Sequence, residues 1–194
     1  MDSRATIIEQ SNDLFYRMGF VGVSIEAVLD ASGTSRGTFY KHFRSKHDVA
    51  TAVLRYRADL FERAIADAIE GAADVPAVSD ALFEALRAWQ NRFGARGCLF
   101  QTAASEYGRQ HPDVFRLARD HKIRIQSLVE VALTRTGARD ARRGAEQLLL
   151  LFEGAVALGQ FGDQERHIDA AKDAASSLRF DRARGAKDEG TECR

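Results

Sequence analysis

Residues 24–46 read Ser-Ile-Glu-Ala-Val-Leu-Asp-Ala-Ser-Gly-Thr-Ser-Arg-Gly-Thr-Phe-Tyr-Lys-His-Phe-Arg-Ser-Lys, and the fold turns on them. The pattern predicts two short helices separated by a tight turn. Ser24 is an N-cap candidate, since its hydroxyl can accept one of the amide protons left free at a helix start. Ile25, Val28 and Leu29 then share one face, with Glu26 and Asp30 on another. Gly33 stands where the chain must reverse, a place that asks for a positive φ. Ser35 is a second N-cap, and the helix it opens turns Phe39 and Phe43 inward. Arg36, Thr38, Lys41 and His42 fall on the other side. A helix, a glycine turn, then a helix with cationic and hydrogen-bonding side chains outward is the layout of a DNA-reading helix-turn-helix.

Any helical hairpin needs caps, a glycine and an apolar face. The charge pattern is what a plain hairpin does not require. Arg36, Lys41, Arg44, Lys46, Arg55 and Arg57 are opposed nearby only by Asp48 and Asp59. Cations gathered at one helix end and the start of the next suit phosphate neutralisation.

The same residues carry a family resemblance. Gly19-Phe20, then Gly37-Thr38-Phe39-Tyr40-Lys41-His42-Phe43 and Ser45-Lys46 resemble the signature of the TetR/AcrR family of transcriptional regulators. The resemblance covers about the first quarter of the chain, and length and helix count also fit. Thr34, where a small apolar residue is usual, and Leu29, for a frequent alanine, depart from the pattern without touching the outward set. Membership implies a DNA-binding head of three helices, a larger helical domain for ligand binding and dimerisation, and a homodimer on a near-palindromic double-stranded operator. It further implies Tyr40, His42 and Lys46 as phosphate clamps, with hydroxyl contacts from Ser24 and Ser35. Side-chain chemistry makes Arg36 the candidate for base readout, because a guanidinium grips guanine O6 and N7 together. Gly37 lets the backbone approach the groove, and Thr38 and Lys41 reach base edges or phosphates.

Bulk properties agree with an all-α protein. The 194 residues contain two prolines and fifteen glycines, and 28 cationic side chains balance 28 acidic ones, so attraction to polyanions must be local. Two cysteines, Cys98 and Cys193, make neither a disulfide framework nor a zinc site and suit a reducing cytoplasm. Met1-Asp2-Ser3 leads straight into an amphipathic stretch, with no signal peptide and no membrane-length apolar run, so a cytoplasmic location is expected. No phosphate loop, nucleophile elbow or metal-ligand spacing appears. His42 and His47 are five apart, and His111, His121 and His167 are scattered, so no catalytic residue, metal or cofactor is expected.

The spacing predicts a first helix over residues 5–18, opened by Thr6 and Glu9 and stopped by Gly19, with Ile7, Ile8, Ser11, Leu14, Phe15 and Met18 on its inner face. A long fourth helix runs from Ser45 to about Glu70, leaving a head of residues 1–46 and entering a domain of residues 47–180. Five more helices follow. Pro76 and Pro112 each stand where a helix begins. Leu148 to Phe152 is apolar nearly all round, which predicts burial on every side and points to a second copy of the chain. Leu128, Leu148, Leu151, Phe152 and Ala155 are the interface candidates. A ninth helix is expected from Glu165 to Phe180, and a polar, disordered tail over residues 181–194.

Trp89, Phe93, Phe100 and Tyr107 are the candidates for an apolar cavity that holds a small inducer, with an indole N–H and a phenol to orient it. Cys98 follows Gly97 at a helix start and offers an alternative, redox- or electrophile-sensing trigger.

Overall fold

The computed structural model describes residues 2–178; Phe180, the expected tail 181–194 and Cys193 lie outside them. Among the described residues there are nine helices and no strand: α1 (Ser3–Gly22), α2 (Ile25–Ser32), α3 (Arg36–His42), α4 (Lys46–Glu70), α5 (Val75–Phe93), α6 (Leu99–Glu106), α7 (Pro112–Arg135), α8 (Ala141–Gly159) and α9 (Gln164–Ser176).

The starts follow the capping residues. Ser24, Ser35, Ser45, Asp74 and Asp140 each accept a backbone amide proton of the first turn. Gly33 closes α2 at φ 62°, and the Thr34 amide donates to the Leu29 carbonyl at 3.2 Å. The Thr34 hydroxyl pairs with Ser32 at 2.6 Å, which accommodates the departure at that position. Asp48 accepts the Arg44 amide at 2.8 Å while Ser45 accepts the Asp48 amide at 3.2 Å, a reciprocal lock at the start of α4.

The first helix differs from the expected one. It begins at Ser3, capped by Asp2 rather than by Thr6 and Glu9, and a second short turn continues past Gly19 to Gly22. Ile7, Ile8, Ser11, Leu14 and Phe15 are buried as the spacing required, but Met18 is 53% exposed. Gly19 takes φ 72°, ψ 177°, a region open to glycine alone, and so breaks the helix without ending it.

Two apolar cores result. One joins α1, α2, α3 and the first half of α4 to α6 and the start of α7, around Phe15, Phe20, Phe39 and Leu54. The other lies among the end of α4, α5, α7, α8 and α9, around Phe83, Leu133 and Phe152. With 25 residues, α4 is about 37 Å long at ~1.5 Å per residue and serves both.

The apolar run of α8 is where the sequence misled. Leu148 (0%), Phe152 (2%) and Ala155 (3%) are buried within their own chain, against α5, α7 and α9, and cannot form an interface. Leu128 and Leu151 are half-buried against the same core. The apolar side chains that α8 leaves in solvent are Leu150 (74%) and Leu158 (52%), continued by Phe161 (84%). Periodicity located the buried helix; it did not say which of its faces the chain itself covers.

The break at Gly19 is a joint. The Glu106 carboxylate, at the end of α6, accepts the amides of Phe20 (2.7 Å) and Val21 (3.2 Å). A Cβ on Gly19 would lie 2.7 Å from both carboxylate oxygens. Gly19→Ala should therefore cost about 1–3 kcal/mol, from a glycine-only backbone and a displaced Glu106. Thermal unfolding should show Tm lower by several degrees, and an unchanged Tm would refute the account of the joint.

Candidate nucleic-acid interface and internal recess

Phe39 (0%) and Phe43 (3%) anchor α3 to the head core, and that fixes which way its polar residues turn. Arg36, Gly37, Tyr40, Lys41 and His42 are exposed, as are the caps Ser24 and Ser35, and Thr38 is half-buried. The Thr38 hydroxyl lies 3.0 Å from that of Ser35. Tyr40, 47% exposed, stands edge-on to Phe39. Seven of the nine residues expected at DNA are thus exposed on the head, and Thr38 is half so.

Two members carry bonds that the sequence did not foretell. Arg36 pairs with Glu26 of α2 at 2.8 Å, both side chains more than half exposed. Hydrogen bonds to its own backbone amide and then to Arg36 hold the Glu26 carboxyl below its ordinary value. An exposed pair of this kind is cheap to exchange for a base or a phosphate. Lys46, the ninth residue, is engaged at the joint: its Nζ donates to the Phe20 carbonyl at 2.9 Å and lies 5.6 Å from the centre of the Tyr107 ring.

Residues 7–53 match the family model described as bacterial regulatory proteins, tetR family. That stretch, the head of the chain, is a TetR-family DNA-binding segment. Its architecture matches that of a TetR-family transcriptional regulator from Streptomyces coelicolor (TM-score 0.82, 24% identity, covering 90% of this chain and 92% of that one). A TetR transcriptional regulator from Chloroflexus aurantiacus gives a TM-score of 0.75 at 24% identity, covering 90% and 92%. A protein described as a putative tetr-transcriptional regulator, from Streptomyces avermitilis, gives 0.68 at 25%, covering 91% and 99%. In sequence, a stretch of 68 residues is 28% identical to an uncharacterized HTH-type transcriptional regulator in the lacX 3' region of Lactococcus lactis, and the aligned part spans 35% of either chain.

Behind the TetR-family head, a recess opens among α4, α5, α6, α7 and α8. Trp89 and Phe100 line it with Phe61, Phe152, Cys98 and Gln90. Phe93 lies tilted against Trp89 with ring centres 4.3 Å apart, one layer back from the lining. Tyr107 is not on the recess. It packs under the head, with ring centres 6.1 Å from Phe20 and 4.1 Å from His111, because it follows the end of α6 next to the joint. The open space is about 40 Å³, room for a few waters, against ~300–1,000 Å³ for a formed ligand pocket. An occupant must push side chains aside.

The polar lining was not legible in the sequence. His121 is buried (1%), stacks on Phe100 at 3.8 Å, and its Nδ1 lies 2.9 Å from Glu62. Lys122 is held by Glu153 at 2.5 Å and reaches the Cys98 sulfur at 3.3 Å. Arg57 is buried (5%), donates to Asn12 at 3.2 Å, and lies over the Tyr16 ring at 4.3 Å. At the head–body junction, His47 meets the near neighbours His111 and Asp113 of a distant stretch, with ligand atoms of all three within 4.8 Å of one another and His47 Nε2 2.9 Å from Asp113. No helix is long and apolar enough to cross a membrane among the described residues.

Burial, then the positive charges of Lys122, Arg124 and Arg57, pushes the His121 pKa down to about 3 from 6.5. The imidazole is therefore neutral in the native state across physiological pH, and Glu62 accepts its proton in a hydrogen bond rather than an ion pair. Below 6.5 the unfolded chain binds the proton and the folded chain does not. The stabilising contribution is complete above pH 6.5 and falls steadily toward pH 3. Between pH 7 and pH 5 the native protein should lose about 2 kcal/mol through this residue. Denaturant unfolding of wild type and His121→Asn at the two pH values measures it. Parallel losses in both would refute the assignment.

Proposed function

We propose that the protein is a cytoplasmic, homodimeric repressor that leaves a near-palindromic operator when a small apolar or aromatic molecule enters the recess. The observation that carries this reading is the span of α6. Its first residues, Leu99 and Phe100, together with Cys98 before it, border the recess. Its last, Glu106, holds the backbone of the head at Phe20 and Val21. The whole helix is eight residues long, so an occupant that displaces Phe100 moves the carboxylate on which the head is hung. The coupling is reciprocal: such a ligand binds DNA-bound protein less well, by the factor by which it weakens DNA binding.

The dimer is supported by Leu150, Leu158 and Phe161, an exposed apolar line on and beyond α8 that a second copy would cover. Two α3 helices related by a two-fold axis then meet half-sites about 34 Å apart, or a multiple of it.

The test is selection of binding sites from random duplexes, with subunit stoichiometry measured on the selected site. A palindrome bound by an even number of chains is expected. Arg36→Ala should relax the preference by about 1–3 kcal/mol at one base pair per half-site. Lys46→Ala, which loosens the joint beneath the head, should weaken all duplexes alike. Sequence-blind losses of equal size for both variants, or a single subunit with no preferred duplex, would overturn the reading.

A second reading uses the same recess with a covalent trigger. Cys98 borders it, with its sulfur 3.3 Å from the Lys122 ammonium. An electrophile that adds to Cys98 would wedge the start of α6. In this case Cys98→Ser retains operator binding but no longer releases DNA on electrophile treatment. Release from the serine variant as readily as from wild type would end the covalent reading.

A further inference from the structure

Arg57 is 5% exposed, and among the described residues it has no ion-pair partner. One Nη–H donates to the neutral amide oxygen of Asn12, and the guanidinium lies among Tyr16, Trp89 and Phe93 at 4.3, 5.2 and 5.7 Å. Stacking on rings eases a buried cation without neutralising it. The other charges at the recess are matched: Lys122 by Glu153, and Glu62 by Arg124 and the His121 hydrogen bond. The charge left uncompensated at this site is positive.

A second group at the recess is also unmet. Gln90 is 4% exposed, and its Oε1 is buried with no hydrogen-bond partner. An acceptor in that condition calls for an O–H or N–H from an occupant. The Tyr16 hydroxyl offers nothing comparable, since it donates to the Gly94 carbonyl and accepts the Arg96 amide, both at 2.8 Å. Between Arg57 and Gln90 the walls are Phe61, Trp89 and Phe100, which suit a flat apolar body.

We propose, building on the reading of the recess as the effector site, that the effector is a small single-ring carboxylic acid. Its carboxylate pairs with Arg57, its ring lies among Trp89, Phe61 and Phe100, and a ring hydroxyl or amino group donates to Gln90 Oε1. A planar guanidinium is matched to a carboxylate by two parallel N–H···O bonds. The narrow space, about 40 Å³ before side chains yield, selects a single ring over a multi-ring ligand. An amine would meet an uncompensated cation and no uncompensated anion.

Trp89 is the sole tryptophan of the chain and borders the recess, so its fluorescence reports occupancy of this site. The full-length protein is titrated with benzoate, 4-hydroxybenzoate, benzamide and benzylamine, by fluorescence and by calorimetry. Benzoate and 4-hydroxybenzoate should bind saturably and shift Trp89 emission, while the neutral amide and the cationic amine should bind at least about tenfold more weakly. Arg57→Gln should cost about ten- to a hundredfold in carboxylate affinity. Gln90→Leu should leave benzoate binding in place and remove any preference for the hydroxylated acid. Far-ultraviolet circular dichroism and Tm of both variants show whether they fold. If Arg57→Gln does not fold, the comparison of the four probes on wild type decides alone. Equal affinity for acid, amide and amine, or no saturable binding of either acid, would overturn the proposal. Operator binding is measured alongside. Acids that bind without releasing DNA leave the carboxylate site standing and remove the inducer role. Release of DNA by an uncharged or cationic ligand alone does the reverse.

Discussion

A carboxylate of the body holds two backbone amides of the head. Where α1 breaks at Gly19, the amides of Phe20 and Val21 lose their helical partners, and Glu106 of α6 accepts both. Bonds to a charged acceptor contribute about 1.5–3 kcal/mol each. They do so here at the point where the head meets the body. Lys46 supports the same joint from the other side, with its ammonium on the Phe20 carbonyl. The head is thus hung from α6 and α4 by hydrogen bonds to its own backbone. Its outer face is left free.

That arrangement separates two jobs. Phe39 and Phe43 spend the apolar side of α3 on the head core, so the opposite side presents Arg36, Tyr40, Lys41 and His42 to solvent. The net charge of the chain is zero, and a local cluster of cations on one face is what lets such a protein approach a polyanion. The Arg36–Glu26 pair keeps the guanidinium positioned while it waits, at little cost when it is exchanged.

The body handles its charges differently because they are buried. Lys122 and Glu153 neutralise each other, and His121 escapes the cost of burial by staying neutral. Burial lowers the Arg57 pKa without discharging it, so the cation remains with only rings and an amide around it. Such a charge is the natural partner for an anion from outside the chain, as proposed above. The short helix α6 then ties that unfinished site to the joint under the head.

By itself the sequence determined the helices, the caps Ser24 and Ser35 and the outward residues of α3, though not the cap of α1. Those features are local: a serine one residue before a helix, a glycine at a reversal and a 3.6-residue repeat act within a few residues of themselves. Tertiary structure alone decided that Leu148, Phe152 and Ala155 face inward while Leu150, Leu158 and Phe161 do not. A helix apolar on all sides carries no mark of which side its own chain will cover. The same holds for the recess, where Arg57, Gln90, His121 and Lys122 come from three helices and meet only after packing. Tyr107 went to the joint rather than the recess because α6 is too short to turn both of its ends to one place. Contacts between residues tens of positions apart depend on how helices cross, and no repeat in the chain encodes that.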